Sequence, residues 1–216
     1  MLKTEEIFYS KNRPGEFLSY YKFTPEQKGK LPLIIDVHGA GSRGSSLSAM
    51  PTDTGLLGQL LNGRELDAAV VMPQCRYDTW FEVFDVLLEF IDSIRNDPAI
   101  DIDRVYLMGA SMGGYTVWQL AMSRPDWFAA IVPICGGGMY WNAARLKKLP
   151  IWAFHGALDK TVLPEESIHM VASVNNSGGN ARLTIFPKAE HNAWDPACET
   201  EELFTWLFKQ KRTSTK

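Results

Sequence analysis

The 216-residue sequence predicts an α/β fold with a doubly wound, mostly parallel sheet. Short, continuous apolar runs alternate with stretches whose apolar residues recur at helical spacing. Continuous runs are typical of strands that are buried on both faces of a parallel sheet. A serine also stands among glycines directly after one of these runs, at residues 109–114. We find no linker, repeat or low-complexity segment, so residues 1–216 are predicted to form one domain.

An antiparallel hairpin opens the predicted fold. The segments Glu6–Tyr9 and Phe17–Phe23 are separated by the turn sequence Asn12-Arg13-Pro14-Gly15. Six buried strands are predicted after it. They are Leu33–Val37, Ala68–Met72, Arg104–Met108, Ala129–Ile134, Ile151–Phe154 and Leu183–Phe186.

Helical spacing of apolar residues recurs between and after these strands. The residues that share one face in each stretch are Phe84, Leu87, Leu88 and Ile91, then Ile168, Val171 and Ala172, and finally Leu203, Trp206 and Leu207. Residues 135–150 lie between two predicted strands and hold enough chain for about two turns of helix. The sequence therefore predicts no cap domain.

Charge and cysteine content argue against several classes of protein. A formal net charge of −3 provides no basic face for phosphates, so no nucleic-acid partner is expected. No apolar stretch is long enough to cross a bilayer, and charged residues close to Met1 interrupt any signal-peptide core. We therefore expect a cytoplasmic protein with no membrane partner. The three cysteines are widely spaced, which indicates free thiols and neither a disulfide framework nor a metal site.

The pattern Gly109-x-Ser111-x-Gly113 indicates a nucleophile elbow, a tight turn that lifts a serine hydroxyl above the sheet. A β-carbon at either glycine is expected to collide with a neighbouring strand or helix. An ordinary glycine-rich turn or a phosphate-binding loop is the alternative, although the spacing of a P-loop is absent.

A serine nucleophile needs a base that takes its proton and an acid that orients the base. On this fold the chain order is serine, acid, histidine. His191 follows the last predicted strand in a polar loop, so we predict it to be the base, with His155 structural and His169 on the surface. Asp159 follows the preceding strand and is the predicted acid, whereas Asp195 is in the wrong order. A degenerate, non-catalytic copy of the triad remains the alternative.

Acyl transfer also needs donors for the oxyanion of the tetrahedral intermediate. Met112, directly after the nucleophile, offers one backbone N–H. The second is expected from the turn after an early strand, at Ala40 or, failing that, Gly41, with His38 bracing that turn.

Together these residues resemble an α/β-hydrolase of the group that contains dienelactone-hydrolase-like proteins, polyhydroxybutyrate-depolymerase-like and feruloyl-type carbohydrate esterases, and predicted peptidases related to prolyl oligopeptidase. The resemblance covers about residues 31–212, through blocks such as Asp36-Val37-His38-Gly39, the elbow, and His191-Asn192-Ala193-Trp194. It implies that Ser111 is the nucleophile, His191 the base and Asp159 the acid. Dienelactone hydrolases proper carry a cysteine nucleophile, so the serine here favours a general carboxylesterase.

The expected activity is hydrolysis of short-chain or aromatic carboxylic esters of small molecules through an acyl-serine intermediate, with no cofactor and no metal. A serine peptidase for short peptides, or a binding module without turnover, is the alternative. Trp80, Trp141 and Trp194 are candidates for the wall of a substrate pocket, since they fall near the catalytic edge of the sheet. Arg76 is a candidate partner for a substrate carboxylate, and each of these four residues has a purely structural alternative.

Overall fold

A computed structural model describes residues 1–26 and 29–212. In this part of the chain, eight strands form one sheet in the order β1-β2-β4-β3-β5-β6-β7-β8. In chain order they are β1 (Leu2–Tyr9), β2 (Phe17–Thr24), β3 (Leu31–Val37), β4 (Ala69–Pro73), β5 (Ile100–Ala110), β6 (Ala130–Ile134), β7 (Ile151–Gly156) and β8 (Ala181–Phe186). β1 and β2 pair antiparallel, β2 pairs antiparallel with β4, and the remaining pairs are parallel. The predicted fold class and the opening hairpin are confirmed.

Within the described residues, six α-helices cover the two faces of the sheet. They are α1 (Gly55–Leu61), α2 (Phe84–Arg95), α3 (Met112–Ser123), α4 (Glu165–Asn176), α5 (Trp194–Glu199) and α6 (Glu201–Lys209). Helices α2, α3 and α4 contribute to one apolar core, and α1, α5 and α6 contribute to the other. Short 3-10 helices lie at Ala40–Ser42, Leu47–Ala49, Trp80–Val83 and Tyr140–Leu146.

The strands alternate between the two cores. On β3, Ile35 and Val37 pack into the core below α2, α3 and α4, and Ile34 packs into the other. Since successive side chains of a strand point to opposite faces, Asp36 lies on the face of Ile34, beneath α1 and α5.

Helix α4 buries a different stripe from the predicted one. Met170, Val171 and Val174 are buried, whereas Ile168 is 39% exposed and Ala172 is exposed as well. Met170 and Val174 lie one turn apart on the face of Val171, and together they offer more apolar surface to the sheet than the predicted set.

The segment between β6 and β7 contains a single 3-10 helix, Tyr140–Leu146, in agreement with the predicted lack of a cap. Within residues 1–26 and 29–212, no helix has the length and apolar composition needed to cross a membrane.

Candidate active site

Ser111 occupies the turn between β5 and α3. Its backbone has φ 56° and ψ −120°, a conformation that non-glycine residues rarely adopt and that costs about 1–3 kcal/mol. The Ser111 N–H donates to the carbonyl of Ile134 on the neighbouring strand, at 2.9 Å. The turn therefore holds the serine at the carboxyl edge of the sheet at the expense of local strain.

The two glycines of the elbow permit a close approach to β3. A β-carbon on Gly113 would lie 1.8 Å from the carbonyl oxygen of Val37, and one on Gly109 would lie 2.5 Å from the same oxygen. Neither distance is possible for a real side chain. This confirms the steric role predicted for the glycines that flank Ser111.

The hydroxyl of Ser111 meets the imidazole of His191. The distance from Ser111 Oγ to His191 Nε2 is 2.9 Å, and the other ring nitrogen, Nδ1, lies 2.7 Å from Oδ2 of Asp159. Ser111 follows β5, Asp159 follows β7 and His191 follows β8, so three strand ends bring the groups together. The structure thus places the three predicted residues in one hydrogen-bonded row.

Asp159 is buried and accepts several hydrogen bonds. Its Oδ1 accepts the backbone N–H groups of Thr161 and Val162, each at 2.9 Å. Burial alone would raise the pKa of Asp159, but the hydrogen bonds from His191, Val162 and Thr161 outweigh it and lower that pKa below its usual 3.8. An ionised carboxylate can only accept, so His191 carries its proton on Nδ1 and turns a free Nε2 lone pair toward Ser111.

The other candidate acids and bases have different partners. Asp195 accepts the hydroxyl of Thr54 and lies outside the row. His155 is fully buried behind Asp159. Its Nδ1 lies 2.8 Å from Ser167 Oγ, and its Nε2 lies 2.9 Å from the carbonyl oxygen of Val162 and 3.4 Å from Asp159 Oδ2. His169 is exposed on α4.

Two backbone N–H groups lie at helix starts beside Ser111. Met112 is the first residue of α3, and Ala40 is the first residue of the 3-10 helix Ala40–Ser42. The first N–H groups of a helix have no acceptor within it. A β-carbon on Gly39 would lie 3.3 Å from Ser111 Cβ, so the Ala40 turn approaches the serine closely.

The Ala40 turn is braced from behind. His38 Nδ1 donates to the carbonyl of Gly39 at 2.7 Å, and His38 Nε2 accepts the N–H of Cys75 at 2.9 Å. Burial lowers the pKa of His38 to about 4, so the ring stays neutral and keeps both bonds. Trp80 is fully buried and donates from Nε1 to the carbonyl of His38 at 3.0 Å.

A cavity of about 440 Å³ opens beside Ser111 and His191. It extends beneath α1 and α5 along the face of the sheet that carries Ile34. Its wall is mostly apolar and includes Met72, Met108, Ile134, Leu57 and Trp194. A volume of this size is typical of small-molecule sites.

Of the four residues predicted to contact substrate, Trp194 alone lines this cavity. Trp80 lies within the core as the brace of His38. Trp141 is 74% exposed on the 3-10 helix Tyr140–Leu146 and lies away from the cavity wall. Arg76 is held by Glu16, at 2.8 Å, and stacks on Phe17, so its charge is already paired.

Asp195 ties the wall of the cavity to the segment that carries the base. Its Oδ1 accepts the hydroxyl of Thr54 at 2.6 Å and the N–H of Gly55 at 2.8 Å, at the start of α1. The adjacent Trp194 donates from Nε1 to the same hydroxyl at 2.8 Å and packs edge-on against His191. We refer to Thr54, Gly55, Trp194 and Asp195 as the Asp195 clamp.

Among the described residues, one group has the composition of a metal site. The ligand atoms of Cys135, Asp159 and His191 lie within 4.8 Å of one another. Burial raises the pKa of Cys135 to about 12, however, and metal binding requires a thiolate. The carboxylate and the imidazole already bind each other, so the geometry suits a proton relay better than a metal.

Residues 58–200 match the Dienelactone hydrolase family. The chain belongs to this family. Poly(3-hydroxyalkanoate) depolymerase C of Paucimonas lemoignei is 27% identical over 141 residues, which are 57% of this chain and 32% of that protein. A thermostable esterase of known structure is 29% identical with a TM-score of 0.85, over 97% of this chain and 63% of that one. The acylaminoacyl peptidase of Pyrococcus horikoshii has a TM-score of 0.71 at 18% identity, over 100% and 42% of the two chains, and shares the fold. The chain spans less than two thirds of the length of each of these three proteins.

In this member of the dienelactone hydrolase family, Asp36 is a charged cavity residue to which the sequence analysis assigned no role in the site. Asp36 lines the cavity from within β3, in the run Leu33–Val37 that was predicted to be a buried strand. The available signal was the charge itself, because an ionisable residue rarely occupies an otherwise apolar strand without a reason.

Proposed function

We propose that the protein is a serine hydrolase that cleaves carboxylic esters of small molecules through an acyl-serine intermediate. Ser111 is the nucleophile, His191 the general base and Asp159 the acid that orients it. The 2.9 Å contact between Ser111 Oγ and His191 Nε2 carries this proposal, because it joins a hydroxyl to a base whose tautomer is already set.

In the proposed reaction, Ser111 Oγ attacks the ester carbonyl carbon while its proton passes to His191 Nε2. The carbonyl oxygen becomes an oxyanion and accepts the N–H groups of Met112 and Ala40. His191 then donates the proton to the departing alcohol. Water then attacks the acyl-serine carbonyl while His191 Nε2 takes up its proton. His191 returns that proton to Ser111 Oγ as the carboxylic acid leaves.

The cavity supports short-chain or compact aromatic esters. Its apolar wall favours an apolar group, and about 440 Å³ has no room for a long alkyl chain together with the reacting centre. Each methylene that stays in water forgoes about 0.8 kcal/mol of burial. Trp194 is the aromatic side chain that we assign to substrate contact.

A fluorophosphonate probe tests the nucleophile, because it labels only an activated serine. The wild-type protein should be labelled, Ser111→Ala should not, and Ser123→Ala serves as a control away from the cavity. Labelling at another serine would contradict the assignment.

A substrate panel tests the reaction. Values of kcat/KM for p-nitrophenyl acetate, butyrate, octanoate and palmitate should favour the short esters, and peptidyl amides should be poor substrates. Faster cleavage of amides would favour the peptidase alternative. Labelling without turnover of any substrate would favour a binding module.

We also propose a cytoplasmic location. The three cysteines are buried and unpaired, which suits a reducing compartment.

A further inference from the structure

Asp36 is a carboxyl group without a partner in the candidate substrate cavity. Its side chain lines the cavity that also exposes Ser111 and His191. Among the residues that the structure describes, Asp36 has no hydrogen bond or ion pair, and burial is the one influence on its ionisation. By contrast, Asp159 and Asp195 each accept at least two hydrogen bonds.

The surroundings of Asp36 are unfavourable for a carboxyl group. Met72, Met108 and Ile134 line the same wall on the neighbouring strands β4 and β5 and on β6. Burial raises the pKa of Asp36 to about 7. Asp36 is half-buried, and the side chain is open to the cavity. A carboxyl group that loses part of its hydration in an apolar wall without gaining a hydrogen bond destabilises the fold, so an apolar residue at this strand position would be more stable. No contact among the described residues therefore accounts for a carboxyl group at this position.

The other titratable groups of the cavity do not satisfy Asp36. His38 is neutral and uses both ring nitrogens within the Ala40 turn. His191 is bound to Ser111 and Asp159. The thiol of Cys198 lies near Asp36, and burial raises its pKa, so it stays protonated. The partner of Asp36 must come from outside the described chain.

The register of the sheet sets the distance to the reacting centre. Asp36 pairs with Met108, which lies three residues before Ser111 on β5. Three residues of strand span about 10 Å. A substrate whose carbonyl lies at Ser111 therefore reaches Asp36 with a single aromatic ring on a short linker.

We propose that Asp36 binds a hydroxyl group at the far end of the substrate moiety that enters the cavity, and so selects esters with a hydroxylated aromatic or similarly compact group. This inference rests on the proposed ester hydrolysis at Ser111. A hydroxyl fits better than an amine, because His191 takes up a proton during the reaction and a cation in the same cavity would oppose that charge. A hydroxyl donates to Asp36 whether the carboxyl is ionised or protonated.

Unreactive ketones test this inference without turnover. Benzylacetone and para-hydroxybenzylacetone differ by one hydroxyl and place a carbonyl and a ring at the required spacing. Calorimetric titration of the wild-type protein should give about tenfold tighter binding of the hydroxylated ketone. This preference should vanish in Asp36→Leu, shrink in Asp36→Asn, which keeps one acceptor oxygen, and persist in Asp126→Leu, the same change at an exposed position.

The remaining outcomes separate the two proposals. Equal affinity of the wild-type protein for the two ketones would overturn the role of Asp36 whether or not the variants fold. Tighter binding of para-(aminomethyl)benzylacetone would overturn it in favour of a cationic ligand. Asp36→Leu should melt at a higher temperature than the wild-type protein, and a lower melting temperature would indicate a structural role. If the wild-type protein shows the tenfold preference but does not cleave phenyl acetate, the proposed ester hydrolysis is refuted and the hydroxyl site at Asp36 is retained.

Discussion

Replacing Gly39 by alanine isolates the contact between the Ala40 turn and the nucleophile. The backbone at Gly39 has φ −77° and ψ 174°, which alanine adopts without strain. The added β-carbon, however, would lie 3.2 Å from the carbonyl oxygen of Ala110 and 3.3 Å from Ser111 Cβ. Carbon atoms pack best at about 3.5–4.0 Å, so the turn and the elbow must separate by a few tenths of an ångström.

The expected cost follows from the geometry of the oxyanion. A misplacement of about 1 Å costs about 100-fold in rate, so half of that displacement should lower kcat about tenfold, or about 1.4 kcal/mol. The loss should fall on kcat and leave KM nearly unchanged, because the oxyanion exists only after the serine attacks.

Steady-state hydrolysis of p-nitrophenyl acetate measures both constants, and Gly41→Ala is the matched control. A β-carbon on Gly41 meets nothing within 4 Å, so the kcat of Gly41→Ala should stay within about twofold of the wild-type value. An unchanged kcat in Gly39→Ala, or an equal loss in Gly41→Ala, would refute the placement of the oxyanion donor in this turn.

Further predictions concern the triad and the brace. Ser111→Ala and His191→Ala should each lower kcat by several orders of magnitude and the double variant little further, since the two groups act as a unit; additive losses would contradict this. Asp159→Asn should lower the free energy of unfolding, and its difference from the wild-type value should be largest at neutral pH. The difference should shrink as the pH falls below 3.8 and vanish below the lowered pKa of Asp159, as measured by urea unfolding at several pH values. A difference that persists in acid would mean that the carboxylate charge is unimportant. Trp80→Phe should cost about 1–3 kcal/mol of unfolding free energy, because it leaves a buried carbonyl without its donor, whereas exposed Trp141→Phe should cost nothing measurable. A larger loss of stability in Trp141→Phe than in Trp80→Phe would contradict the bracing role of Trp80 and favour its predicted contact with substrate.

The sequence contains most of the information for the sheet and for the row of three residues. Strands such as β4 and β6 are buried along their whole length, so their apolar runs stand out without any tertiary knowledge. Ser111, Asp159 and His191 follow strand ends, and the carboxyl ends of parallel strands meet at one edge. Their proximity therefore follows from the order of the elements.

The cavity could not be predicted in the same way, because distant contacts define it. Helix α1 has seven residues, two of them glycine, and carries no strong helical pattern of its own. Its position depends on Asp195, about 140 residues away in sequence. Trp80 stands in a loop sequence yet is fully buried, since its indole N–H finds a carbonyl at His38. The role proposed for Asp36 depends on which face of β3 borders the cavity, and sequence alone does not reveal that.

The Asp195 clamp has a consequence for the size of ester that the proposed reaction can accept. The start of α1, which forms part of the cavity wall, is held by the Asp195 carboxylate to α5, and the first residue of α5, Trp194, packs against His191. A bulky ligand that displaces the start of α1 should therefore also move His191 away from Ser111. Esters that are too wide should therefore bind but react slowly, so the width of the substrate should lower kcat more than it raises KM.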